Sequence, residues 1–162
     1  ARAARRPSDR YAAALPVLTR MGATDSSLQN MPAQQTPAKK QHHRVQLAIT
    51  PLGAQVPTIP AAYHTSITID DQEFTFSRLG VTIGRNWGSH RCIGGKGSLG
   101  GPGVVLDCGT TSFSGRDMLK ALRPHFQEGT YDLLKKNCNS FSDCALYFLL
   151  GRRLDGKYAA LE

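Results

Sequence analysis

Hydrophobic and polar positions along the chain alternate in some stretches and recur at helical spacing in others. Over residues 64–69, Thr65, Ile67 and Ile69 alternate with His64, Ser66 and Thr68, which predicts a strand with one apolar and one polar face. The spacing makes residues 73–76 its hairpin partner across Asp70, Asp71 and Gln72, and residues 45–49 and 104–108 two further strands. Residues 115–126 form a helix started near Ser114. Residues 131–133 are a short connector to the last helix. From Asn139 the sequence NSFSDCALYFLL places apolar side chains at Phe141, Ala145, Phe148 and Leu149, with Ser and Asp in the first turn and Gly151 closing the end. Runs of strands with helices to one side give an α+β class.

Charge divides the chain unevenly. Of the formal net charge of +8, residues 1–44 contribute +6, from eight Lys/Arg and two Asp. This segment is rich in Ala, Gln, Pro and Ser and lacks a long apolar period, so it reads as a solvated extension or a basic arm for an acidic protein surface, a nucleic acid or a membrane. It also has the arginine-rich, acid-poor look of an organelle targeting peptide, although Pro7 and Pro16 would interrupt a long amphipathic helix. The expected organisation is this extension over 1–44, one domain over 45–155 and a tail over 156–162. No apolar run approaches a membrane span, and there is neither a secretory h-region nor an N-x-[ST] sequon. The four cysteines, Cys92, Cys108, Cys138 and Cys144, are too few and irregular for a disulfide scaffold and point to a reducing, cytoplasmic setting, with an organellar or cytoskeletal assembly as the alternative.

Candidate chemistry centres on Cys138. A thiol where a helix begins meets orphan backbone N–H groups and the positive end of the macrodipole, which favour the thiolate. The bland alternative is a buried, inert cysteine, the expectation for Cys144 and for Cys108. His64, on the polar face of its strand, is placed to face a cleft or solvent, and Cys with His is the arrangement of thiol hydrolases. His90 and His125 are weaker partners, and His42 and His43 look like linker. His90 and Cys92 form a lone His-x-Cys pair with no second ligand set, so no metal is expected. The glycine run around Lys96 fails the phosphate-loop pattern, because Gly97 follows the lysine and no helix follows the loop. It is expected to be a flexible loop bordering the cleft.

Three blocks carry a family resemblance: HTSITIDDQEFTF from His64, VVLDCGTTSFSGRDMLKAL from Val104, and GTYDLLKKNCNSFSDCALYFLLGRRL from Gly129. The chain resembles the PPPDE superfamily of DeSI-type thiol isopeptidases over roughly residues 45–154. The third block is the most specific, since Tyr131, Asn137, Cys138, Asn139, Phe141 and Gly151 all stand in the family's pattern. The resemblance implies a circularly permuted papain-like fold, with histidine preceding cysteine. It implies Cys138 as nucleophile, His64 as general base and acid, and the Cys138 backbone N–H as an oxyanion donor, without a cofactor. SUMO- or ubiquitin-conjugated proteins would be the substrates, and the protein itself a homodimer or a subunit of a larger complex. Two other functions fit: a protein S-acyl thioesterase, and a structural subunit that keeps the fold while the basic extension anchors it in an assembly.

Overall fold

A five-stranded antiparallel sheet carries its two long helices on its apolar face. The computed structural model describes residues 41–53, 61–91, 93 and 100–158. The expectations for residues 1–40, for Cys92, for the glycine run over 94–99 and for 159–162 lie outside the described residues. In chain order come β1 (His43–Leu52), β2 (Ala62–Ile69), β3 (Gln72–Ser77), β4 (Gly80–Gly84), a single helical turn α1 (Gly88–Arg91), β5 (Val104–Thr111), α2 (Gly115–Leu122) and α3 (Cys138–Leu150). The sheet order is β4-β3-β2-β1-β5.

The β2–β3 hairpin closes through Asp70 and Asp71, whose φ angles of 45° and 68° are both positive, with Ile69 opposite Gln72. Two residues with positive φ match the right-handed twist of the flanking strands. Asp70 also accepts the Arg44 N–H at 2.9 Å and pairs with His43, which ties the turn to the start of β1. The core lies on the sheet face that presents Leu47, Ile49, Ile67, Phe74 and Phe76, against Met118 and Leu122 of α2 and Phe141, Cys144, Ala145 and Leu149 of α3. Cys144 is a core residue as expected. Cys108 is only partly buried, packed against the core from the edge strand β5.

Both long helices are capped by their own sequence. Ser114 and Asp117 form a capping box at α2. The helix stops at Leu122 rather than running to Phe126, because Pro124 removes a backbone donor, and the chain tightens into a 3-10 turn over Arg123–His125. At α3 the Asn137 side chain accepts the N–H groups of Asn139 (2.8 Å) and Ser140 (3.1 Å), and Gly151 ends the helix at φ 66°. No helix among the described residues is long and apolar enough to cross a membrane.

The seam between α2 and the sheet is tight at Gly115, where a Cβ would stand 2.5 Å from Phe74 Cζ. Gly115→Val is therefore expected to destabilise the fold by about 1–3 kcal/mol, the usual cost of overpacking a filled core. The urea midpoint of the variant checks this; a midpoint equal to that of the parent chain would show that Phe74 moves aside freely.

Candidate active site

Cys138 is the first residue of α3, and its position follows from how that helix docks on β2. β3 pairs with β2 only at Ile67, Thr68 and Ile69, so the β3-side edge of β2 is unpaired nearer its start. Thr65, on that stretch, turns its side chain to α3: its hydroxyl lies 2.9 Å from both Asn139 Oδ1 and Ser142 Oγ, and 3.3 Å from the Cys138 carbonyl oxygen. The Cys138 thiol points at Asn139 Oδ1 from 3.8 Å, and hydrogen bonding from the Thr65 and Asn139 backbone and from Tyr131 favours its thiolate form. His64 is the residue before Thr65. The strand that supplies a donor to the thiol thus also supplies the imidazole.

The state of the thiol differs from the expectation. Cys138 is 5% exposed, and burial pushes its pKa up, although hydrogen bonding from the neighbouring backbone and Tyr131 opposes the rise. Desolvation outweighs the helix N-terminus, so the resting group is a thiol rather than a thiolate. Tyr131 responds in the same sense: burial first, then the neighbouring sulfur, pushes its pKa up to about 12.

The polar face of β2 also departs from the expected cleft. Ser66 and Thr68 are fully or nearly fully buried. The covering element is α1, which brings Ser89 and His90 to His64, while β3 brings Glu73. His64 Nε2 lies 2.9 Å from Ser89 Oγ. The Ser89 hydroxyl donates to Glu73 Oε1, and the Ser89 N–H points at Oε2 of the same carboxylate from 3.4 Å. His90, which the sequence ranks as a weaker partner, is 1% exposed, with its ring centroid 4.7 Å from that of His64. Its Nδ1 lies 2.7 Å from Thr50 Oγ1 and its Nε2 2.9 Å from Ser66 Oγ, two hydroxyls that suit a neutral imidazole. Burial lowers the His64 pKa from 6.5 to about 4, His90 adds to the fall and Glu73 opposes it. Burial alone lowers His90 to about 4. Both rings are uncharged at neutral pH.

Four residues are too few for α1 to show a helical period, so Ser89 and His90 had no pattern to mark them. Glu73 did carry a signal: it stands opposite Thr68 in register, on the same face as His64, at a position that is 2% exposed. A carboxylate buried that deeply needs partners. Among the described residues no group of three His, Cys, Asp or Glu side chains is arranged to hold a metal ion.

A family model described as "PPPDE putative peptidase domain" matches residues 32–159, which spans the sheet, α1 and the Cys138 helix. The chain belongs to the PPPDE peptidase family. Three curated relatives, each named desumoylating isopeptidase 1, from Xenopus laevis, Rattus norvegicus and Homo sapiens, are 33% identical to it over 107 residues. Those alignments cover 64% of this chain and 57% of each relative, so the chain spans little more than half the length of the curated proteins it matches.

Proposed function

We propose that this PPPDE domain is a cysteine isopeptidase that hydrolyses the bond between a SUMO- or ubiquitin-type modifier and a substrate lysine, with Cys138 as nucleophile and His64 as base and acid. The carrying observation is that one stretch of β2 supplies both neighbours: Thr65, whose hydroxyl docks on the first turn of α3 at Cys138, Asn139 and Ser142, and the adjacent His64, a histidine whose pKa burial lowers to about 4. The names of the relatives support SUMO conjugates as the substrate class.

In this reading the resting pair is thiol and imidazole. His64 takes the thiol proton as Cys138 Sγ attacks the isopeptide carbonyl, and a tetrahedral oxyanion forms with the Cys138 backbone N–H as one donor. Tyr131 and the Thr65 N–H steady the negative sulfur before the bond forms. The C–N bond breaks as the imidazolium returns its proton to the lysine amine, leaving a thioester. Water, deprotonated by His64, then releases the modifier's carboxylate and restores the thiol.

Vinyl-sulfone derivatives of SUMO and ubiquitin test this directly. At least one of them is expected to form a covalent adduct, and peptide mapping is expected to place it on Cys138. An adduct on Cys108 or Cys144 instead, or none with either probe, would overturn the assignment.

A further inference from the structure

We propose that Glu73 and Ser89 form a positioning pair that holds His64 as a single tautomer. The inference rests on the reading of His64 as the base, and it names what orients that base.

The argument is one of counting protons. A serine hydroxyl has one proton to donate and lone pairs to accept with. The Ser89 proton is directed at Glu73 Oε1, a group that in its ionised form only accepts. Ser89 Oγ, 2.9 Å from His64 Nε2, therefore has only a lone pair left for the ring, so Nε2 must carry the hydrogen. In a neutral imidazole that leaves Nδ1 as the basic nitrogen. The Ser89 N–H aimed at Glu73 Oε2 fixes the first turn of α1 to the same carboxylate, so the serine is held through both its backbone and its hydroxyl. β3 supplies Glu73, α1 supplies Ser89 and β2 supplies His64; none of the three touches its partner through sequence proximity. His90 packs on the ring of His64 and has its own hydroxyl partners in Thr50 and Ser66, which leaves Ser89 to the catalytic histidine.

The tautomer is measurable without substrate. Nitrogen-15 spectra of histidine-labelled protein at pH 7 are expected to show His64 protonated at Nε2 and not at Nδ1. Ser89→Ala should give a mixture of the two tautomers and slow iodoacetamide modification of Cys138 by about 10- to 100-fold, the scale on which a lost orienting partner affects a functional histidine. Ser89→Thr, which keeps the hydroxyl, should restore both. Glu73→Gln keeps the shape and an accepting oxygen but loses the charge, so it should preserve the tautomer while shifting the pH profile of Cys138 modification to lower pH. The charged or titratable groups facing His64 in that profile are His90 from α1 and Glu73 from β3.

A parent spectrum with the proton on Nδ1 would overturn the proposal, as would Ser89→Ala changing the tautomer with no effect on Cys138 reactivity. Failure of the underlying function looks different. If His64→Ala leaves hydrolysis intact, the base assignment falls. If His64→Ala is inactive and Ser89→Ala is fully active, only the positioning pair falls.

Discussion

Cys138→Ala is expected to reduce cleavage of a SUMO- or ubiquitin-lysine conjugate to the uncatalysed background, and His64→Ala to reduce it by about 10²–10⁴-fold. The two differ because the first removes the atom that forms the bond, whereas the second removes only the transfer of its proton. Neither change should unfold the domain. Cys138→Ala deletes one sulfur at a helix start still capped by Asn137, and the Thr65 contacts to Asn139 and Ser142 remain. His64 lies near the start of β2 and is only partly buried, outside the apolar core. Thermal melts in parallel with the assays separate loss of chemistry from loss of fold. A Cys138→Ala protein that keeps a tenth of the parent activity would exclude this cysteine as the nucleophile.

How much of this site the sequence discloses depends on the length scale of each pattern. The Cys138 helix is legible because thirteen residues show a cap, an apolar spacing and a terminal glycine together. The hairpin is legible because Ile67 and Ile69 alternate cleanly with polar neighbours over a two-residue turn. What does not show is anything set by contact across the sheet. β4 and α1 are five and four residues long, shorter than a reliable period, so the stretch from Gly80 reads as loop although it places Ser89 and His90 beside His64. Alternation marks the His64 face as polar, but polar does not mean exposed: Ser66, Thr68, Glu73 and Thr75 are all buried there. The same limit explains the thiol. A helix N-terminus is visible in sequence and lowers a cysteine pKa, whereas the burial that reverses the sign comes from packing.

An uncharged resting site has a consequence for stability. His64 and His90 both sit at about 4 in the folded protein against an ordinary 6.5. The unfolded chain therefore binds more protons than the folded one as pH drops below 6.5, and stability must fall with it. The contribution is fully present above about pH 6.5, is lost between about 6.5 and 4, and is flat below. One unshared histidine gives a slope of up to about 1.4 kcal/mol per pH unit, so between pH 6.5 and 5 a single ring costs about 2 kcal/mol and two independent rings about twice that. Because the rings touch, the measured loss should lie between those limits. The carboxylates of Asp70, Asp107, Asp117 and Asp155 are shifted downward from 3.8, so their contributions disappear at lower pH and leave this window to the histidines. Urea unfolding at half-unit steps from pH 7.5 to 5 should show the decline, with a proton uptake between one and two per molecule at pH 5 by calorimetry in buffers of different ionisation heat. His90→Gln, which can still reach hydroxyl partners but does not titrate, should remove part of the slope. Stability unchanged between pH 6.5 and 5 would mean that burial does not lower the pKa of either ring, and the buried, uncharged pair described above would be wrong.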